Sequence, residues 1–223
     1  MKKVNLESRI IQNVNATNQK ISFFNKFTVL LNLNSTKNIS KVEEMRVLFV
    51  NLCENVPYKH FPNNDEMHCV PNYNYFLSST KKLRASSQDV SNFVSELSNY
   101  QTMRGFSSYA GWFLTAVINN SKDLNFSLDL YNNTKPIDFI GIRNQKKNIT
   151  ITGNTGRLTA FEQISGTIIV YGTVGSNSGD YQKGGSFRYN KIENNREIQV
   201  TRSFDKGSKD KYPRHIEEYL RSV

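Results

Sequence analysis

The sequence has little of what marks a membrane, secreted or disulfide-rich protein. Its longest apolar stretches, such as Phe27–Leu31, fall far short of the roughly 18 residues that a membrane-spanning helix needs. Only two cysteines are present, Cys53 and Cys69, so a scaffold held by several disulfides is excluded. The segment Met1–Lys20 holds no apolar run of the secretory type. We therefore expect neither secretion nor a membrane partner.

Side chains that bind metals or act in catalysis are equally scarce. The one grouping of soft ligands is Cys53, His60, His68 and Cys69, and its spacing does not match the close cysteine pairs of zinc sites. The sequence has no nucleophile-elbow, zinc-protease or phosphate-loop motif, and its 19 acidic residues are scattered. We predict a protein that is not an enzyme and that has no cofactor and no metal site.

Positive charge is what the chain has in excess. Lysine and arginine number 29 against 19 acidic residues, which gives a net charge of +10. Such an excess favours a polyanionic partner, and because no basic amphipathic helix stands out, nucleic acid is a better candidate than a membrane surface. Asparagine, isoleucine, lysine, phenylalanine and tyrosine are abundant, and their AT-rich codons are typical of an organelle genome.

The first half of the chain predicts a strand and two helices. Apolar residues in 27–31 indicate a buried strand, and spacings of three and four from Lys41 to Val56 indicate an amphipathic helix. Prolines at 57, 62 and 71 predict an irregular segment over 57–80. A second helix is expected from Ser86 or Ser87 to Tyr100, whereas Trp112–Ile118 fits either a strand or a helix.

The second half predicts short strands separated by glycines. Their positions are Leu124–Tyr131, Ile137–Ile142, Asn148–Thr152, Thr167–Tyr171, Ser186–Tyr189 and Ile198–Thr201. We predict an α+β fold, with a mostly antiparallel sheet packed with two main helices and a β-rich, glycine-containing C-terminal extension. The expected regions are an N-terminal extension (1–22), an α+β domain (23–155) and a basic C-terminal extension (156–223).

Several short motifs occur in an order known from one family. They are FTVLLNLN, then SKVEEMRVLFVNLC with ENVP, then KKLRASSQDVSNFVSEL, NFSLDL and KPIDFIGIRNQKKNITIT. This order, over residues 24–155, resembles the large-subunit ribosomal protein five family, which holds 5S rRNA in bacterial ribosomes. The chain departs from the family at Ala85, where the family has glycine, and it lacks the Gln-Lys of the loop motif.

The resemblance implies a structural constituent of the large ribosomal subunit, here in a divergent mitochondrial form. Such a protein would lie in the central protuberance of a ribosome in the mitochondrial matrix. Its partners would be large-subunit rRNA, 5S rRNA or its replacement, the P-site tRNA, and neighbouring ribosomal proteins including a small-subunit bridge partner.

Candidate RNA-binding residues are cations that bind phosphates and tyrosines that stack on bases. They lie before the first predicted strand, in the segment 57–84, after the second helix, in the basic turn at 143–147, and among the glycines of the C-terminal extension. The alternative for each is an ordinary solvated surface residue. The complete set is Lys26, Tyr58, Lys59, Lys81, Lys82, Arg84, Arg104, Arg143, Lys146, Lys147, Lys183 and Arg188.

Residues 149–189 also contain a near-repeat with a shift of 19 positions. Ile149, Gly153, Gly156 and Gly166 map onto Ile168, Gly172, Gly175 and Gly185. A fixed shift of strands and glycines indicates stacked coils, and this one resembles the glycine-repeat β-helix of the glutamate synthase C-terminal domain. The alternative prediction is therefore a non-catalytic subunit or spacer, while hairpins with glycine turns would explain the same pattern.

Overall fold

The computed structural model describes residues 39–56, 65–193 and 196–203. The described helices and strands all lie in a compact unit that begins at Lys41. The predicted strand at 27–31 and the predicted N-terminal extension lie outside the described residues. The helices are α1 (Lys41–Asn55), α2 (Asp65–Ser79), α3 (Ser87–Glu96), a 3₁₀ turn (Leu97–Tyr100) and α4 (Phe106–Asn120). The strands are β1 (Asn125–Asp129), β2 (Asn148–Thr152), β3 (Thr167–Tyr171), β4 (Ser186–Glu193) and β5 (Arg196–Ser203).

Helix α4 forms the centre of the helical region. Its apolar residues surround the whole helix, and every residue from Tyr109 to Ile118 is buried. The ring of Phe113 lies 5.3 Å from that of Phe49 on α1, and the ring of Tyr109 stacks on Phe76 of α2 at 5.9 Å. Residues 112–118, compatible in sequence with strand or helix, are therefore the core of a helix.

Two helices were correctly predicted and one was missed. Helix α1 follows the predicted span, and α3 begins after Ser86, which forms a capping box with Asp89. The prediction of an irregular segment was wrong for residues 65–79, which form α2 with Pro71 inside it. A proline removes one backbone donor, but packing of Tyr73 and Phe76 in the core stabilises the helix around it.

The five strands form one sheet in the order β1-β2-β3-β4-β5. The predicted strand positions are confirmed for these five, but the predicted antiparallel arrangement is wrong, because β1 to β4 are parallel and only the β4–β5 pair is antiparallel. Ile149 is the register partner of Ile168, and Ile168 is the register partner of Phe187. This register equals the shift of the sequence repeat, so the repeat corresponds to stacked coils of a β-solenoid.

The coils stay in register through their corners as well as their strands. The segment Ile137–Ile142 was predicted as a strand, but it leads into a turn in which alternate residues, Phe139, Gly141 and Arg143, have a positive φ. The same alternation recurs in the next two coils. The residues with a positive φ are Phe139, Gly141 and Arg143 in the first coil, Leu158, Ala160 and Glu162 in the second, and Asn177, Gly179 and Tyr181 in the third.

These left-handed corners are stabilised by hydrogen bonds between coils. The backbone N–H of Phe139 donates to the carbonyl of Arg157, and that of Leu158 donates to the carbonyl of Ser176. A non-glycine residue in the left-handed conformation lowers the stability of the fold by roughly 1–2 kcal/mol. The hydrogen bonds between coils must therefore offset several such losses. Residue 155, a predicted domain boundary, lies inside the second coil.

Candidate nucleic-acid interface

The C-terminal end of α4 links the helices to the first coil. The Asn120 amide donates to the carbonyl of Leu77 at 2.8 Å, and the Ser121 hydroxyl donates to the carbonyl of Ala85 at 2.6 Å. The backbone N–H of Ser87, at the start of α3, donates to the Asp123 carboxylate at 2.6 Å. This hydrogen bond lowers the pKa of Asp123. The turn between α2 and α3 is therefore anchored to residues 120–123.

Lys147 completes this anchor from the solenoid side. Its ammonium donates to the carbonyls of Ser121 and Asp123, both at 2.7 Å, and the residue is only 6% exposed. Burial lowers the pKa of the Lys147 ammonium, and the negative charge of Asp123 partly opposes the effect. Lys147 was predicted to bind RNA, but the structure turns its donors inward.

Five exposed cations surround this anchor, and we call them the cationic rim. Within the residues that the structure describes, none of their side chains forms an ion pair or a hydrogen bond. Lys146 is positioned by its own N–H, which donates to the Ser165 hydroxyl, and by the neighbouring Gln145 N–H, which donates to Asn119. The rim consists of Lys81, Lys82, Arg84, Lys122 and Lys146.

Four of these residues were predicted as RNA-binding, and the structure brings them to one anchor. Lys122 was missed, because a lone lysine after an apolar helix gives no signal in the sequence. Its position becomes meaningful only when Ser121 and Asp123 are seen to hold the turn that carries Arg84.

An uncharged groove of about 420 Å³ opens beside the rim, between α3 and the outward face of β1 and β2. We call it the polar groove. The side chains of Asn125 and Asn148 pair across the two strands, with an N–O distance of 2.9 Å. The lining residues are Ser87, Gln88, Ser91, Asn125, Phe126, Ser127, Asn148 and Thr150.

The rim lies at one end of this groove. Strands β1 and β2 are parallel and start together, because Asn125 is the register partner of Asn148. Helix α3 starts at the same end, because Ser87 is bonded to Asp123. Each of the three elements begins just after a rim cation, namely Arg84, Lys122 or Lys146.

Arg143 and Lys183 lie together around a buried acid. The Glu162 carboxylate is 3.3 Å from the Nε atom of Arg143 and 3.2 Å from the Nζ atom of Lys183. The Glu162 side chain is only 3% exposed, so these two cations compensate a charge that would be costly to bury alone. They were predicted to bind RNA, and the structure gives both an intramolecular partner.

The remaining predicted residues are spread over other surfaces or lie outside the described chain. Arg104 is exposed just before α4, whereas the rim residue Lys122 follows the other end of this 15-residue helix, which is about 22 Å long. Arg188 is exposed on the outward face of β4. It is the register partner of Ile169 on β3, which is the register partner of Thr150 on β2. Lys26, Tyr58 and Lys59 lie outside the described residues.

The described residues offer little else in the way of reactive groups. They contain no cluster of three metal-ligating side chains. Burial raises the pKa of the Cys53 thiol to about 12, so this cysteine stays protonated at neutral pH. Within the same part of the chain, no helix has the length and apolar character needed to cross a bilayer.

Comparison of the chain with models of protein families, with curated proteins and with solved structures gives no match.

Proposed function

We propose that this chain is a non-catalytic, RNA-binding constituent of a ribonucleoprotein particle, namely the large subunit of a mitochondrial ribosome. The cationic rim is the observation that carries RNA binding. The order of motifs and the abundance of residues with AT-rich codons support the narrower assignment to a mitochondrial ribosome. In that role its partners are large-subunit rRNA, 5S rRNA or its replacement, the P-site tRNA and neighbouring ribosomal proteins that include a small-subunit bridge partner.

The rim suits phosphate binding for an energetic reason. Cations that are already paired must give up a partner before they can bind a phosphate, whereas the five rim side chains have none in the described part of the chain. Each phosphate that they neutralise releases counterions, so the binding free energy depends steeply on salt. The anchor beneath them, with buried Lys147 at its centre, keeps the turns in place before RNA arrives.

A spacer is the second candidate, and the solenoid is the observation that favours it. Stacked coils in the register of the sequence repeat resemble the glycine-repeat β-helix named above, which is a non-catalytic structural module. A protein of this kind would bind its partners through protein surfaces. Its association with them would not depend on RNA.

Affinity purification separates the two candidates. The tagged chain is isolated from its source at low salt, with and without ribonuclease, and the RNA and proteins that copurify are identified. We expect large-subunit rRNA and many ribosomal proteins, released by ribonuclease. A few enzymes that stay bound after ribonuclease treatment would instead support the spacer.

A charge-matched pair of variants tests the rim itself. In the first, Arg84, Lys122 and Lys146 are changed to glutamine; in the control, Lys41, Lys135 and Arg157 are changed to glutamine. We expect the rim variant to lose about tenfold or more in RNA affinity, and its salt slope to fall by roughly one for each lost phosphate contact. Equal weakening in both variants would show that only net charge matters.

A further inference from the structure

The polar groove presents hydrogen-bonding groups that the protein itself does not use. The hydroxyls of Ser91, Ser127 and Thr150 make no hydrogen bond within the described part of the chain. The pairing of Asn148 with Asn125 uses one donor of the first and the oxygen of the second, so in the described part of the chain the Asn148 oxygen and the Asn125 amino group form no further hydrogen bond. The groove therefore offers both donors and acceptors, carried by a helix and two strands.

The lining of the groove suits a neutral, hydroxyl-bearing group. None of its lining side chains is charged, so a phosphate would find no counter-charge there. Its volume of about 420 Å³ lies in the range of small-molecule sites, roughly 300–1,000 Å³. A nucleoside fits within this volume, and its sugar hydroxyls and base edges are neutral donors and acceptors.

The position of the rim favours, as the ligand, a nucleotide within a strand over a free nucleoside. Three rim cations lie at the end of the groove where α3, β1 and β2 begin, namely Arg84, Lys122 and Lys146. The phosphates on either side of a bound nucleoside could therefore bind these cations. Charge at the end and neutral polarity along the groove match a strand that binds through phosphate and sugar together.

We propose that the polar groove binds one nucleotide of single-stranded RNA and discriminates RNA from DNA through the 2′-hydroxyl. This rests on the proposed RNA-binding function and adds the chemical class that the site prefers. The 2′-hydroxyl is both donor and acceptor, and it is the group by which a protein distinguishes the two nucleic acids. The hydroxyls of Ser91, Ser127 and Thr150 are the protein groups that meet it.

The test compares one single-stranded RNA with DNA of the same base sequence. Both strands are about 20 nucleotides long, which exceeds the site of one folded domain, and binding is followed by fluorescence anisotropy over a salt series. The groove variant carries Ser91→Ala, Ser127→Ala and Thr150→Val, which remove hydroxyls with little change of volume. The control is Thr152→Val, the same change on the same face of β2 but outside the groove.

We expect the wild-type chain to bind the RNA about tenfold more tightly than the DNA. The groove variant should lose this preference through weaker RNA binding, while its DNA affinity and salt slope stay unchanged and Thr152→Val behaves as wild type. Salt-dependent binding of both strands with equal affinity, or an unchanged preference in the groove variant, would overturn the groove assignment and leave the rim intact. Binding of neither strand would overturn the proposed function as well.

Discussion

The helical region and the solenoid bury similar apolar groups but reach close packing in different ways. In α1 to α4, large rings fill the space. The ring centroids of Phe49 and Phe93 are 5.7 Å apart, and Phe113 lies 5.3 Å from the first and 5.4 Å from the second. In the coils, backbone packs on backbone, and a Cβ atom added at Gly185 would overlap the carbonyl oxygen of Gly166 in the coil before it. Side-chain volume therefore determines the first region, and backbone approach determines the second.

The junction between the two regions combines both kinds of packing. The N–H of Asp138 donates to the carbonyl of Ser107 on α4, and the N–H of Gly141 donates to the Thr115 hydroxyl at 2.8 Å. At Gly111 the helix has no side chain, and the carbonyl of Asp138 occupies the space. One corner of the first coil is thus seated directly on the central helix.

Breaking this junction should have the largest effect. In Gly111→Ala, the new Cβ would overlap the Asp138 carbonyl oxygen, so the helix and the coil must separate. Alanine favours a helix over glycine by about 1 kcal/mol, yet we expect a net loss of at least about 3 kcal/mol in the free energy of unfolding. Urea denaturation measures it. The control, Ser108→Ala on the same helix, should change stability by about 0.5 kcal/mol or less.

An unchanged unfolding free energy in Gly111→Ala would mean that the helix and the coil do not depend on their close approach. The two regions would then be independent neighbours.

How far the sequence predicts each region follows from the same comparison. Periodic apolar residues gave α1 and α3 and the positions of all five strands, because burial of one face leaves a pattern in the chain. The pairing of the strands leaves none. A strand with parallel neighbours and a strand with antiparallel neighbours have the same internal pattern, and only the repeat from Ile149 to Gly185 carried the information.

The errors at Pro71 and at Ile137–Ile142 have separate causes. Pro71 disfavours a helix locally, but Tyr73 and Phe76 pack into a core that no local pattern reveals. Residues 137–142 resemble a strand because they form a short apolar run, and the left-handed corner buries the same side chains, namely Ile137, Phe139, Ile140 and Ile142. The groove was missed because its residues are uncharged and are distributed over three elements.

The anchor between the regions can be tested with adjacent lysines. Lys147→Met removes the donor to the Ser121 and Asp123 carbonyls, and we expect it to cost about 2 kcal/mol of unfolding free energy. Lys146→Met, at an exposed position, should cost about 0.5 kcal/mol or less. RNA binding should respond in the opposite order, with a larger loss of affinity in Lys146→Met, which removes a rim cation, than in folded Lys147→Met, which loosens only the anchor beneath the rim. Weaker RNA binding in Lys147→Met than in Lys146→Met would contradict the inward position of the Lys147 ammonium.

The smallest effect at neutral pH lies inside the helical region, at Tyr73. Burial raises the pKa of its hydroxyl to about 12, and the hydroxyl accepts a hydrogen bond from Asn119 at 2.6 Å. We expect Tyr73→Phe to cost about 1 kcal/mol at pH 8 through loss of that bond.

Because the folded-state pKa of Tyr73 lies above the unfolded value, the wild type keeps this contribution below pH 10 and loses it as the pH rises towards 12. At about pH 11.5 the wild type should have lost about 2 kcal/mol relative to the variant, so that Tyr73→Phe is then the more stable of the two. Denaturation of both chains at the two pH values measures the crossover, and Tyr75→Phe on the same helix, at a position that is 51% exposed, is the control for the loss of a tyrosine hydroxyl. A constant difference between wild type and Tyr73→Phe across this range would mean that the hydroxyl is accessible to water, and that the helical region is packed less tightly around α2 than around α4.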